Sequence, residues 1–143
     1  MLTENKLIAQ RYLEEVFTKG NVAVVDDIAA VNFVSHDPAA GGEIQGIEGF
    51  KQFVTAAHTI FPDLTFTIEN MVAEGNIVAV RWTMRSQHEG EGLGLPATDR
   101  PVTVVGANFF RIVDGKIEED WVTLDTLRLV NDLGLLEPKM AMA

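Results

Sequence analysis

From Leu64 onward the apolar residues recur at every second position instead of every third or fourth, and this change of period constrains the fold most. Leu64, Phe66 and Ile68 alternate with Thr65, Thr67 and Glu69, the signature of a strand with one buried face. Gly75-Asn76 signals a hairpin ahead of Ile77–His88, a strand rich in Val, Ala and Trp. A glycine-rich connection over 89–100 leads into a long strand over 101–113, and Asp114-Gly115 turns the chain into Lys116–Leu124. Strands of this length twist and curl, so a sheet built from them has a concave face to fill.

The first half of the chain supplies the filling. Leu7, Ile8, Tyr12, Leu13, Val16 and Phe17 recur at helical spacing up to a stop at Gly20. Asn21 is placed to cap a second, shorter helix through about residue 30. Residues 33–35 look extended and lead to His36-Asp37-Pro38, where proline holds Asp37 out of helix. Ile47, Phe50, Val54, Ala57 and Phe61 form the stripe of a third helix, which Phe61-Pro62-Asp63 ends. A last helix carries Leu127, Val130 and Leu133 and closes at Gly134; the tail reads as frayed. Helices followed by a long-stranded meander give the α+β class. The expected architecture is a cone of curved antiparallel sheet with three N-terminal helices on its concave face. Residues 1–143 read as one domain, with a core over about 3–136. The open end of such a cone is a natural pocket for a hydrophobic small molecule.

Composition narrows the partners. Eleven basic against twenty-one acidic residues give a formal charge of -10, which repels phosphate backbones and anionic lipid. Neither nucleic acid nor a membrane is therefore expected. With no cysteine there is no disulfide, thiolate nucleophile or zinc–thiolate site. The N-terminus lacks a signal-peptide pattern and no apolar run is long enough to span a bilayer, so the expectation is cytoplasmic. Hydrophobic residues make up 47%, a surplus that lines cavities or subunit interfaces, and a homodimer through the outer face of the sheet is expected.

Phe61-Pro62-Asp63, Ser86-Gln87-His88-Glu89-Gly90, Leu95-Pro96-Ala97-Thr98-Asp99-Arg100 and Arg111-Ile112-Val113-Asp114-Gly115-Lys116-Ile117 resemble the SnoaL-like polyketide cyclase family in order and spacing. Trp121, Asp125 and Leu133-Gly134 extend the resemblance to the C-terminal helix. It implies a nuclear-transport-factor-2-like cone, a homodimer, and a cofactor-free intramolecular aldol ring closure on polyketide esters. It also implies a working aspartate three residues before Asp125, where this chain has Val122, and a histidine where it has Asn108. A valine moves no proton, so the family mechanism does not transfer unchanged.

Aldol closure needs a base beside a carbonyl and a donor for the developing enolate oxygen. Asp120 and Asp125 are the carboxylates nearest the vacated position, and the turn decides which faces inward. If Asp114-Gly115 is a two-residue turn pairing Ile112 with Ile117, Trp121 and Asp125 share a face with Asn108. If Gly115 is a bulge, Asp120 and Val122 do. The resemblance favours the second register and makes Asp120 the first acid/base candidate, against a plain solvated strand residue. Asp125 is also explained as a helix cap. His88, at the strand end expected to meet the cone mouth, and Asn108 are candidate oxygen donors; each is equally readable as an ordinary polar residue. His36, Trp82, Met84, Phe110, Trp121 and Val122 are candidate ligand contacts, although core packing accounts for aromatic side chains as well. His58 reads as a satisfied, partly buried histidine. No short histidine spacing suggests a metal, and none is expected. Two other functions stay open: a non-catalytic cone that binds a small ligand, and isomerase or epoxide-hydrolase chemistry. The latter needs an inward arginine, and Arg81 and Arg85 lie on the strand face opposite His88.

Overall fold

The computed structural model describes residues 2–88, 90 and 97–135. Helix α1 (Leu2–Arg11) runs on as a π-helical turn over Tyr12–Thr18. The Lys19 N–H donates to the Glu14 carbonyl at 3.0 Å, and Thr18 Oγ1 donates to the Leu13 carbonyl at 3.0 Å, both across five residues. This wider turn places Tyr12, Leu13, Val16 and Phe17 together on the buried side. The second helix is shorter than its sequence suggests. A 3-10 turn (Val22–Val24) precedes one turn of α2 (Val25–Ile28), and Asn21 makes no side-chain cap. Three valines in four residues favour helix weakly, and from Ala29 the chain is already β1 (Ala29–Asp37).

A 3-10 turn (Pro38–Ala40) leads to β2 (Gly42–Gln45), a strand too short to announce itself by periodicity. Then come α3 (Gly46–Ile60), β3 (Thr65–Glu74), β4 (Ile77–His88), β5 (Arg100–Val113), β6 (Lys116–Leu124) and α4 (Thr126–Asp132). The sheet order is β2-β1-β6-β5-β4-β3. β1 and β6 pair in parallel, so the sheet is mixed and not wholly antiparallel as expected. The long path through α3 and four strands makes a parallel pair reachable. On the inner face Phe50 from α3 meets Tyr12, Phe17 and Phe33 at ring-centroid distances of 5.3, 5.7 and 5.1 Å. Most of the glycine-rich connection and the C-terminal tail lie outside the described residues. Among the described residues no helix is long and apolar enough to cross a membrane.

The turn between β5 and β6 combines both registers considered above. Asp114 and Gly115 take φ of 50° and 76°, a two-residue turn that pairs Ile112 with Ile117. The ladder then shifts: Arg111 faces Glu119, Phe110 faces Asp120, and Asn108 faces Val122. Glu118 is the extra residue, so the bulge lies there and not at Gly115. The Arg111 guanidinium donates to both Glu118 and Glu119, the latter at 2.9 Å, clasping the two consecutive outward side chains. Beyond the bulge Asp120 and Val122 point inward and Trp121 points out.

Candidate functional site

Alternation fixes the inner face of the three central strands. β1 contributes Phe33, Ser35 and Asp37, β6 contributes Asp120 and Val122, and β5 contributes Asn108 and Phe110. Asp120 is fully buried. Ser35 Oγ donates to its Oδ1 at 2.5 Å, while Oδ2 has no partner among the described residues. Burial pushes the Asp120 carboxyl up to about 7, against the pull of Ser35 and Tyr12 and of His36, and with a further push from the Asp37 charge. Tyr12 is itself driven well above the ordinary tyrosine range, by burial first and the Asp120 carboxyl second.

Asn108 is fixed from the side. The Trp82 indole Nε1–H donates to Asn108 Oδ1 at 2.7 Å. An indole only donates, so the amide orientation follows, and the buried Nδ2 is left without a partner among the described residues. Gly106 permits this arrangement: a Cβ there would stand 2.7 Å from the Trp82 ring and 2.5 Å from the Thr123 carbonyl oxygen.

These groups surround a cavity of roughly 220 Å³ between the sheet, the π-helical turn, α3 and α4. Most of its wall is apolar, including Leu13, Phe17, Phe53, Met84, Val104 and Val122. Tyr12, Asp37 and Asn108 carry polar atoms into that wall, with Thr126 at the start of α4. Asp120 is not in the wall itself but behind it. Asp37 Oδ1 accepts the Ala39 N–H at 2.9 Å, capping the 3-10 turn, and burial raises its carboxyl above the usual range.

Of the residues singled out from the sequence, Trp82, Met84, Asn108 and Val122 line this cavity. Phe110 lies one layer deeper, its ring 4.8 Å from that of Tyr12. His88 is not at an open mouth. It is wholly buried, its ring 5.4 Å from that of Phe61 and its Nδ1 2.8 Å from Thr98 Oγ1, and it does not line the cavity. Trp121 and His36 are on the opposite face of the sheet, stacked at 5.9 Å, with His36 Nε2 2.5 Å from Glu119 Oε2. The β6 bulge turns Trp121 outward, and β1 alternation does the same for His36. Asp125 is the cap of α4, accepting from Arg128 N–H at 3.0 Å, and is exposed. His58 Nε2 lies 2.6 Å from the Phe17 carbonyl oxygen. No arginine lines the cavity, and among the described residues no three metal-ligating side chains converge. Sequence reading missed Tyr12, Ser35 and Asp37. The signal for the last two was present: with Phe33 buried, the two-residue period carries Ser35 and Asp37 inward.

A mixed α+β cone that closes its helices over an apolar cavity with a few inward polar groups defines the class of this protein. Within that class the chain belongs to the SnoaL-like polyketide cyclase family, whose model matches residues 7–133. Its structure is similar to that of a protein from Jannaschia sp. assigned as a SnoaL-like polyketide cyclase, with TM-score 0.84, 24% identity and 95% of each chain covered. TsrD from Streptomyces laurentii gives TM-score 0.83 and 26% identity over 94% of this chain and 97% of that one. IdmH from Streptomyces antibioticus, assigned as a polyketide cyclase, gives 0.78 and 28% over 91% of this chain and 98% of that one. No curated protein matches the sequence.

Proposed function

We propose that the protein is a cofactor-free acid/base catalyst that shifts a proton next to the carbonyl of a hydrophobic compound, in the manner of an intramolecular aldol closure. The observation that carries this reading is the buried Asp120 carboxyl, titrating at about 7 behind the wall that presents Asn108 Nδ2, an atom without a partner among the described residues. A carboxyl of that pKa holds and releases a proton at neutral pH. An amide N–H without a partner is a donor for an oxygen that gains charge. Membership of the cyclase family and likeness to IdmH support the same reaction class.

The test is closure of an anthraquinone-type polyketide ester followed by absorbance. Native turnover is expected, with a loss of about 100-fold or more in Asp120→Asn. Undiminished turnover in that variant removes Asp120 from the reaction. A second reading follows from Val122, which stands where the family resemblance implies a working aspartate: a cone that binds its ligand without converting it. Absence of native turnover, with activity gained in Val122→Asp, is the outcome that favours it.

A further inference from the structure

We propose that Asp37, Tyr12 and Asn108 act as one proton-transfer constellation: Asp37 takes a proton from the carbon beside a ketone or ester carbonyl, while Tyr12 and Asn108 donate to that carbonyl's oxygen as it becomes an enolate. This rests on the acid/base reading above and assigns the groups that meet the substrate, an apolar two-ring ketone or β-keto ester.

Strand register supplies the geometry. Ser35 is level with Asp120 and His36 with Trp121 in the parallel β1–β6 pair, so Asp37 is level with Val122, which faces Asn108 on β5. Asp37 and Asn108 therefore flank Val122 in one inward row, two strand spacings or about 10 Å apart at the backbone. The short side chain of Val122 leaves the middle of that row open to a carbonyl and its neighbouring carbon. Tyr12 reaches the same cavity from the π-helical turn above.

Asn108 and Asp37 each keep a polar atom without a hydrogen-bond partner among the described residues, while the Tyr12 hydroxyl leans on Asp120. Trp82 occupies Asn108 Oδ1, so Nδ2 remains to donate. The Ala39 N–H occupies Asp37 Oδ1, and Oδ2 makes no hydrogen bond with a described residue. The two carboxyls also divide the labour. Both are raised by burial, and the Asp37 charge helps to raise Asp120, so a charge on one carboxyl disfavours a charge on the other. With Asp37 ionised and Asp120 protonated the pair holds one base and one acid, the division of roles that acid/base sites exploit. Protonated Asp120 leaves the Tyr12 phenol free to donate into the cavity; ionised Asp120 competes for that phenol proton.

The step balances without a co-reactant. The C–H bond breaks, its proton goes to Asp37 Oδ2, and its electron pair becomes the enolate, with charge on the oxygen held by Tyr12 and Asn108. Asp37 then returns the proton to carbon, or the enolate carbon attacks a second carbonyl and the proton passes to the new alkoxide.

Two probes separate the roles. Exchange of the α-hydrogens of 2-tetralone in D₂O is followed by proton NMR, and binding of 2-naphthol, a planar mimic of its enol, by absorbance. The protein is expected to accelerate exchange. Asp37→Asn keeps an acceptor for the Ala39 N–H; it is expected to slow exchange about 100-fold while still binding 2-naphthol, which also reports that the variant is folded. Tyr12→Phe and Asn108→Leu are each expected to weaken 2-naphthol binding about tenfold. Exchange at the native rate in Asp37→Asn, but abolished in Asp120→Asn, overturns the role of Asp37 and leaves the acid/base function standing. Binding of 2-naphthol indifferent to Tyr12→Phe and Asn108→Leu overturns the donor pair. No acceleration by the native protein, with 2-naphthol bound, overturns the acid/base reading itself.

Discussion

Asp120 couples the proposed chemistry of the cavity to the stability of the chain. Its carboxyl ionises near 3.8 when free and at about 7 in the fold, because burial disfavours the charge. Between those values the folded protein holds more protons than the unfolded one, so this group's contribution is fully present below pH 3.8 and is lost as pH rises through about 7. The upper limit of the loss is about 4 kcal/mol. Urea denaturation of the native chain and Asp120→Asn at pH 5 and pH 8 is expected to show the native protein losing more stability, by at least about 1 kcal/mol. Equal losses in both proteins would remove the desolvated carboxyl from the account.

At the residue scale the sequence revealed the placement of some positions and concealed that of others. Asp120 was identifiable through the register that the family resemblance favoured, and Asn108 through its place on a long alternating strand. Tyr12 was concealed because one ring serves both the aromatic core and the cavity wall, and helical spacing reports only the first. Asp37 looked like a turn former before Pro38, which it is, yet its other oxygen makes no hydrogen bond with a described residue. His88 looked like a strand end at an opening. Its burial depends on Phe61 and Thr98, which are distant in sequence, and no local pattern records that contact.

At the scale of elements, Gly106 is the joint between β4 and β5 that sets the site. It faces Trp82 across the pair, and the ring rests where a side chain would otherwise be. Gly106→Ala forces the ring or the Thr123 carbonyl to move, at a cost of about 1–3 kcal/mol. Displacing Trp82 also releases Asn108. The expected result is a lower urea midpoint, altered tryptophan fluorescence and weaker 2-naphthol binding; a variant with native values in all three would show that the contact is slack. The elements legible beforehand were those with many periods, namely α3, β3, β4, β5 and β6. β2 has four residues and no period to read, and the π-helical turn differs from an α-helix by one residue per turn, which apolar spacing alone does not resolve. The β5–β6 bulge had a local sign, since two consecutive glutamates beside one arginine can both face it.

For the whole molecule, the sheet's outer face matters as much as its cavity. Val72, Ala79, Phe109, Trp121 and His36 follow one another across β3, β4, β5, β6 and β1 in register. Phe109 is 50% and Trp121 38% exposed, side chains that a folded surface seldom presents side by side. We propose that a second copy of the chain covers this row. Light scattering is expected to give the mass of a dimer for the native protein and of a monomer for Trp121→Glu, and a native monomer at high concentration would remove the proposal. Because each chain carries a formal charge of -10, added salt should strengthen the association. Both faces of β6 answer to the same extra residue. Counted from the turn, if Glu118 were paired in the ladder and not spare, Asp120 and Trp121 would have opposite parity, and the acid would stand outside with the indole within. Deleting Glu118 leaves Ile117, Glu119 and Asp120 opposite the partners they already have, whereas inserting one more residue after Asp120 exchanges interior and exterior from there on. The lining of the cavity and the make-up of the outer row are thus a single bit of information written once in the backbone, and a lineage that gains or loses one residue at this place must change both together or neither.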